Sequence, residues 1–230
     1  LDVAAGSGAL SVPAARLGAD VLATDQSPVM LDLLDLRART EVLSIETRVM
    51  DGHALEFDDN RFDMAGSQFG VMLFPDMPKG IREMARVVKP GGRVVVIAYG
   101  DPHQINFLEF LSRAVQAVRP DFDGPPMDPL PLPFQLSDPE RLRRELAQAK
   151  LREVSVETIT ERTSFQTGEE LWDWIISSNP LAGEVLGHLD LTDGEKDTVR
   201  RRLDGLVRDR ARGDGPAVLT NPINIGLGTK

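Results

Sequence analysis

The first 25 residues, LDVAAGSGALSVPAARLGADVLATD, constrain the fold of this chain more than any other stretch. A short apolar strand at residues 1–4 runs into a turn containing Gly6 and Gly8, where the missing Cβ lets the backbone turn sharply and approach a ligand closely. Residues 9–17 predict a helix whose first turn offers free N–H groups to that ligand. The next strand ends at Asp25, where a carboxylate can accept both ribose hydroxyls of a nucleoside. The segment therefore predicts a strand–helix–strand nucleoside site.

Strands and helices alternate along the rest of the chain, which is typical of a parallel sheet covered by helices on both faces. Further strands are predicted at residues 21–24, 45–49, 62–67, 93–99, 153–160 and 217–228. Further helices are predicted at residues 27–39, 77–88, 105–118, 137–150, 168–178 and 192–212. The sequence KPGG at residues 89–92 predicts a turn before the fifth strand.

The alternation breaks after Gly100, and this break suggests the domain organisation. Residues 1–100 are expected to form a Rossmann-like core, which residues 137–160 and 213–230 complete. Residues 101–136 contain a long Pro-rich loop, which is typical of a lid or substrate-binding insertion, and residues 161–212 are expected to form a helical cap. Because the chain lacks an initiator Met and begins inside the expected first strand, its N-terminus is expected to be incomplete.

Composition excludes several classes of function. The net charge of −10 disfavours nucleic-acid partners, since their phosphates are bound largely by Lys and Arg. The absence of cysteine excludes disulfides and thiolate metal sites, and isolated histidines such as His53 and His188 give no expectation of a metal. No apolar run approaches the roughly 18 residues of a membrane span, and no signal peptide is visible. A cytoplasmic protein, monomeric or homodimeric, is therefore expected.

The motifs at successive strand ends separate the nucleoside-binding families. A nicotinamide site favours glycine or alanine at the third position of its turn, where this chain has Ser11. The ordered motifs DGHALEFDDNRFD, SQFGVMLFPD, REMARVVKPGG and RVVVIAY follow within residues 51–99. This succession resembles the class I S-adenosylmethionine-dependent methyltransferases, in particular the ubiquinone and menaquinone biosynthesis group of the methyltransferase type 11 kind. The resemblance implies an α/β fold with a seven-stranded, mostly parallel sheet, the last strand antiparallel and inserted beside strand five.

The resemblance also implies a site for S-adenosylmethionine at the strand ends. Asp25 would hold the ribose hydroxyls, Asp51 would accept from the adenine amino group, and Met30 would pack on the adenine. The implied cofactor-binding residues are Asp2, Ala4, Ala5, Gly6, Gly8, Asp25, Gln26, Met30, Asp51, Gly52, His53, Ser67 and Gln68.

Within that set, residues 2–8 would wrap the methionine end of the cofactor, and the main chain of Gly52 and His53 would meet the adenine edge. Ser67 and Gln68 would lie beside the reacting methyl group. One departure from the family pattern is alanine at positions 4 and 5, where many relatives have Gly or Cys, so the turn has less room. Structural alternatives stay open, because the two glycines alone could form an ordinary turn and Asp25 could be a helix N-cap.

The segment after Gly100 supplies the candidate substrate residues. His103 is the candidate catalytic base, since an imidazole can take a proton near neutral pH; its alternative is a simple helix-start residue. Apolar side chains at helical spacing, together with Leu130, Leu132 and Phe134 of the Pro-rich loop, predict a small apolar acceptor. The apolar helical side chains are Phe107, Leu108, Phe110 and Leu111.

Two other functions remain open at this point. A nicotinamide-dependent oxidoreductase would need a further small residue in the glycine turn and usually a catalytic pair such as Tyr–Lys, which the single Tyr99 lacks nearby. A non-catalytic protein that binds S-adenosylmethionine and acts through a protein partner is the third possibility. Methylation of base amino groups is disfavoured, because SQFGVMLFP lacks the Asn/Asp-Pro-Pro-Tyr/Phe arrangement of such enzymes.

Overall fold

The computed structural model describes residues 1–124, 127–178, 186–187, 189–211, 213 and 215–230, and within them seven strands form one sheet. The strand order is β3-β2-β1-β4-β5-β7-β6. The strands are β1 (Asp2–Val3), β2 (Val21–Asp25), β3 (Ile45–Val49), β4 (Phe62–Gln68), β5 (Val88–Tyr99), β6 (Arg152–Phe165) and β7 (Ala217–Thr229). Strands β1 to β5 pair in parallel, so their carboxyl ends meet at one edge.

The last strand runs against its neighbour β5. Lys230 N–H donates to the Gly92 carbonyl at 2.9 Å, whereas Gly100 N–H donates to the Pro222 carbonyl at 2.8 Å. The partner number falls along β7 as it rises along β5, which defines an antiparallel pair. The expected sheet, with an antiparallel last strand inserted beside strand five, is therefore confirmed.

Helices follow most strands, and local sequence signals begin several of them. The helices are α1 (Ser11–Arg16), α2 (Pro28–Thr40), α3 (Met77–Val87), α4 (Asn106–Val115), α5 (Pro139–Gln148), α6 (Gly168–Ser178) and α7 (Asp193–Arg210). Short 3-10 turns lie at Val71–Leu73, Pro102–Gln104 and Leu132–Phe134. Side chains of Ser27 and Thr192 cap α2 and α7 by accepting an N–H of the first turn. No helix among the described residues is both long and apolar enough to cross a bilayer.

The chain divides into two compact units. The first unit comprises residues 1–99, 134–158 and 224–230, and the second comprises residues 100–133 and 159–223. In the first unit, α2 buries Leu31 and Leu34 against Ala5, Val12 and Ala23 beneath the glycine-rich turn. In the second unit, the Trp174 ring makes edge-on contacts with Phe107 and Phe165, which suits the ring quadrupoles. The lid and cap roles expected for parts of the second unit stay predictions.

Two local predictions are wrong for identifiable reasons. Residues 89–92 are not a turn that precedes strand five, because β5 begins at Val88 and the KPGG residues form an irregularity within it. Val88 pairs with Phe62 and Arg93 with Met64, so β5 has three more residues than β4 between these pairs, and Gly91 within this irregularity has a φ of 81°. The fifth helix begins at Pro139 rather than at Ser137, because the side chain of Asp138 accepts the Glu140 N–H and caps it.

Candidate cofactor site

The turn between β1 and α1 has an unusual backbone. Ala4, Gly6 and Gly8 all have positive φ, at 55°, 53° and 90°. A Cβ on Gly8 would lie 2.3 Å from Leu34 Cδ1, so α2 packs where a side chain would stand. Ala4 adopts the left-handed region despite its Cβ, at a cost of about 1–2 kcal/mol. Retained strain of this kind is common at ligand sites.

Asp25 joins this turn to the end of β2. Its Oδ2 accepts the Gly6 N–H at 2.8 Å, and its Oδ1 accepts the Ser27 N–H at 2.8 Å. An ionised carboxylate has about four acceptor positions, so each oxygen keeps one for a further donor. Ser27, not Asp25, caps α2, so the alternative role of Asp25 as the helix N-cap is wrong. The geometry leaves a partly exposed carboxylate that can accept two hydroxyl groups.

Met30 lies in the first turn of α2, just beyond this carboxylate. Its side chain is 38% exposed although it is apolar. Its N–H is satisfied by Ser27 Oγ at 3.4 Å, so the helix start is fixed while the thioether stays free. A flexible, polarizable side chain at this place is suited to pack on a flat ring.

Asp51 follows β3 and organises the next loop. Its Oδ1 accepts the His53 N–H at 2.8 Å, lies 2.8 Å from His53 Nδ1 and accepts from Gln26 Nε2 at 3.0 Å. These hydrogen bonds, those from His53 first, lower the pKa of Asp51, so it is a carboxylate at neutral pH. Within the described residues, the side-chain hydrogen bonds of Asp51 all involve Oδ1, which leaves Oδ2 of this exposed side chain as an acceptor for a ligand amino group.

Aromatic packing shapes the same loop. The His53 and Phe74 rings lie 4.5 Å apart at 33°. Gly52 is buried, and a Cβ there would lie 2.4 Å from Phe74 Cζ. Gly52 is therefore required for the close approach of the loop to Phe74, a residue that sequence reasoning did not single out.

The two candidate residues at the end of β4, Ser67 and Gln68, differ in how accessible their side chains are. Ser67 is buried, and its Oγ accepts the Val71 N–H at 2.9 Å. Its hydroxyl therefore stabilises the turn after β4. Gln68 is half-buried and remains the more accessible of the two.

Asp2 is a buried carboxylate at the base of the turn. It is 3% exposed, its Oδ2 accepts from Ser11 Oγ at 2.6 Å, and its Oδ1 has no hydrogen-bond partner within the described residues. Burial, partly opposed by the Ser11 bond, raises the pKa of Asp2 to about 6. An unsatisfied buried carboxylate oxygen suits a cationic ligand group.

Sequence reasoning missed Arg37, which braces the glycine-rich turn. Its Nη1 donates to the Ser7 carbonyl at 2.8 Å, from a position 30 residues further along the chain. The contact depends on how α2 packs against the turn. Helical periodicity places Arg37 on an exposed face but does not show what it reaches.

It also missed the residues that follow Gln68. Phe69 has a φ of 56°, and its ring stacks on Tyr99 at 4.6 Å between centroids. A Cβ on Gly70 would lie 2.6 Å from the Ala4 Cβ, so the turns after β1 and β4 are in close contact. The available sequence signal was the Phe-Gly pair within SQFGVMLFPD.

The candidate substrate residues are divided between the two units. His103 is exposed in the second unit, its N–H donates to Asp101 Oδ1 at 3.0 Å, and it borders a pocket of about 180 Å³ with Ile105 and Met127. Leu130 and Leu132 are exposed. Phe134 instead lies fully buried in the first unit, 6.5 Å from Tyr99 between ring centroids, so it packs in the core. The implied cofactor residues all lie in the first unit.

Within the described residues, no group of three or more His, Asp or Glu side chains is arranged to hold a metal ion.

Comparisons with known proteins agree with this architecture. Residues 1–96 match the family described as a methyltransferase domain. A demethylmenaquinone methyltransferase of Corynebacterium kroppenstedtii is 33% identical over 167 residues, 70% of this chain and 70% of its own length. An uncharacterized protein of Mycobacterium tuberculosis is 38% identical over 120 residues, which are 52% of this chain and 42% of the relative's length. The aligned part is thus less than half of that relative.

Among solved structures, the phosphoethanolamine N-methyltransferase 2 of Haemonchus contortus, in complex with S-adenosyl-L-methionine, superposes with a TM-score of 0.56. It covers 100% of this chain and 47% of its own, at 19% identity. At that identity the likeness shows the fold alone.

Proposed function

Because this chain belongs to the class I S-adenosylmethionine-dependent methyltransferases of the ubiquinone and menaquinone type, we propose that it transfers a methyl group from S-adenosylmethionine to a small, apolar organic acceptor. The observation that carries this proposal is the 2.8 Å bond between Gly6 N–H and Asp25 Oδ2, which joins the glycine-rich turn to the carboxylate at the neighbouring strand end. This bond holds together the two expected parts of a nucleoside site, which are the glycine-rich turn and Asp25 at the end of β2.

The residues present fit this cofactor. The two remaining acceptor positions of Asp25 match the two ribose hydroxyls, and Asp51 Oδ2 can accept from the adenine amino group. Met30 offers an exposed apolar surface for the adenine ring. The unsatisfied Asp2 Oδ1 and the main chain of the turn suit the methionine end, which carries an ammonium group.

When bound, S-adenosylmethionine supplies a sulfonium methyl group that is already activated for displacement. The contribution of the chain is then to hold the acceptor in line with that methyl group and to exclude water. The turns after β1 and β4 are proposed to border the acceptor. The close contact between Ala4 and Gly70 holds these two turns together. The hydrogen bond from the Val71 N–H to Ser67 Oγ stabilises the turn after β4.

The Phe69–Tyr99 stack supports an apolar acceptor with a flat ring. Both residues follow or end strands whose carboxyl ends meet at the site edge, and Phe69 is half-buried. The relative from C. kroppenstedtii is named a demethylmenaquinone methyltransferase, so a reduced demethylmenaquinone analogue is the first acceptor to test. If that acceptor must lose a proton, His103 is the proposed base.

Release of S-adenosylhomocysteine tests the proposal. The purified chain is incubated with S-adenosylmethionine and either a short-chain demethylmenaquinol analogue or phosphoethanolamine as the polar alternative. We expect product with the quinol only, and we expect His103→Ala to lower turnover while leaving the Kd for the cofactor unchanged. Cofactor binding without turnover of any acceptor would support a non-catalytic binding protein. Unchanged turnover in His103→Ala would show that the reaction takes no base from this segment.

A further inference from the structure

The loop between β3 and β4, residues 50–61, contains the proposed adenine contacts. It forms no helix or strand of its own. A turn at its start is closed by the Ala54 N–H, which donates to the Asp51 carbonyl at 3.0 Å. Leu55 follows this turn directly and is 4% exposed. Contacts that hold Leu55 therefore hold the end of the turn that begins at Asp51.

Arg86, in the last turn of α3, binds this loop with every N–H donor of its guanidinium. Nη2 donates to the Leu55 carbonyl at 2.8 Å, and Nη1 donates to the Phe57 carbonyl at 2.8 Å. Nη1 also donates to Asp59 Oδ1 at 2.7 Å. Nε and Nη2 donate to the two carboxylate oxygens of Glu83, at 2.8 and 2.9 Å. Because a guanidinium carries five N–H donors, all of them are used.

Glu83 holds the same point of the loop from the same helix. Its Oε2 accepts the Leu55 N–H at 2.9 Å, so Glu83 and Arg86 together bind both polar backbone groups of Leu55. Hydrogen bonds, those from Arg86 first, lower the pKa of Glu83, so the pair is ionic at neutral pH. The two side chains are mostly buried, which reduces the screening of this pair by solvent.

Helix α3 also supports the loop through Phe74. A Cβ on Gly80 would lie 2.5 Å from Phe74 Cδ2, so the helix packs closely against that ring. Phe74 in turn packs on the His53 ring, with 4.5 Å between the centroids. The turn at residues 51–54 is therefore supported by α3 at two places, directly after the turn and within it.

We propose that Arg86 and Glu83 are positioning residues that determine which purine base the cofactor site accepts. By holding Leu55, they keep the 51–54 turn in the conformation in which Asp51 Oδ2 can accept from the amino group of adenine. Hypoxanthine has a carbonyl oxygen in place of that amino group, and the Asp51 carboxylate repels it. The inference rests on the proposed function, since it requires that the first unit binds S-adenosylmethionine.

Calorimetry with S-adenosylhomocysteine and S-inosylhomocysteine tests the proposal, because these ligands differ only in the purine base. We expect the unchanged chain to prefer the adenosyl ligand about tenfold or more, since one hydrogen bond to a charged group is gained and one repulsion is avoided. Arg86→Lys keeps the charge but has three donors in place of five, so it should reduce this preference about threefold or more. Arg82→Lys is the matched control, because Arg82 is exposed on the same helix and its side chain makes no hydrogen bond within the described residues.

The ratio of the two Kd values separates positioning from a general loss of stability, which would weaken both ligands alike. Glu83→Gln is the second variant; its amide oxygen can still accept the Leu55 N–H, so the preference should fall by less than in Arg86→Lys. Circular dichroism verifies folding, and Glu83→Gln decides the matter if Arg86→Lys is unfolded.

An unchanged preference in the folded variants, with S-adenosylhomocysteine still bound, would overturn this proposal and leave the proposed function intact. An equal loss of preference in Arg82→Lys, or no preference in the unchanged chain, would overturn it as well. If the unchanged chain binds neither ligand, the proposed function fails together with this inference.

Discussion

At the scale of single residues, Asp25 has both a structural and a proposed binding role. It accepts N–H groups from the glycine-rich turn and from the start of α2, so it fixes the two segments that meet at the site. Spacing predicted this meeting, because adjacent parallel strands bring their carboxyl ends together. The support from Arg37 could not be predicted, since it depends on side-chain reach across 30 residues.

Arg37 should therefore affect cofactor affinity without contacting the cofactor. Arg37→Met removes the bond to the Ser7 carbonyl and loosens the turn, which should weaken S-adenosylmethionine binding by about 1 kcal/mol, since the bond is exposed to solvent. Arg39→Met is the matched control, on the same helix, because the Arg39 side chain is exposed and makes no hydrogen bond within the described residues. Equal Kd values for the two variants would show that the hydrogen bond from Arg37 to the Ser7 carbonyl does not contribute to cofactor affinity.

Asp2 should make stability depend on pH. Its pKa is raised from 3.8 to about 6 by burial, so the native state holds this proton more tightly than the unfolded chain does. The resulting stabilisation is fully present below pH 3.8 and is lost as pH rises through about 6; it amounts to about 3 kcal/mol.

Urea denaturation of the unchanged chain and of Asp2→Asn between pH 4 and pH 8 measures this effect. Asparagine does not titrate, and its side-chain oxygen can still accept from Ser11. We expect the stability of the unchanged chain to fall relative to Asp2→Asn by about 2.5 kcal/mol between pH 4 and pH 8, slightly less than the full effect because the unfolded-state carboxyl is already partly ionised at pH 4. A constant difference between the two proteins across this range would contradict the raised pKa.

At the scale of secondary-structure elements, the strength of the local signal did not decide how closely the bounds were predicted, since the weak pattern of β3 was placed correctly and the strong pattern of β5 was not. The β3 prediction matched both ends, and the α2 and β7 predictions missed by one residue at most. The KPGG irregularity was missed because pairing with β4 continues past it, which a local turn signal cannot reveal. The burial of Phe134 in the first unit was not visible from its place in a Pro-rich loop, because it depends on tertiary packing beside Tyr99.

Of the insertion at residues 101–136, the part at residues 103–124 and 127–133 is proposed to cover the methyl-donor end of the site when both ligands are bound, whereas Phe134 and Leu136 are excluded because they are buried in the first unit. The amides of the covering segment should then exchange hydrogen more slowly with S-adenosylmethionine and an acceptor analogue together than with either alone. Helix α5 serves as an internal reference, because it has no proposed role in closure. If hydrogen exchange in this segment is unchanged when both ligands are bound, the segment does not cover the site.

At the scale of the whole molecule, the two units carry different chemistry. The first unit holds every implied cofactor residue along one edge of the parallel strands. The second unit holds His103 and the pocket that it borders. Sequence motifs were informative about the first unit, because the proposed cofactor residues lie in turns and at strand ends, which leave local sequence signals. They were less informative for the second, because pocket lining there depends on tertiary packing.

The central claim, that the first unit binds S-adenosylmethionine through Asp25, is tested most directly by calorimetry. Asp25→Ala removes the two proposed charge-assisted hydrogen bonds to the ribose, together with the bonds that Asp25 accepts from Gly6 and Ser27, so it should weaken S-adenosylmethionine binding by at least roughly 2–4 kcal/mol. Asp20→Ala, an exposed change just before the opposite end of β2, should bind as the unchanged chain does, and NADH should give no binding heat with any of the three. Tight NADH binding without S-adenosylmethionine binding, or an Asp25→Ala variant that binds S-adenosylmethionine as tightly as the unchanged chain, would contradict the account.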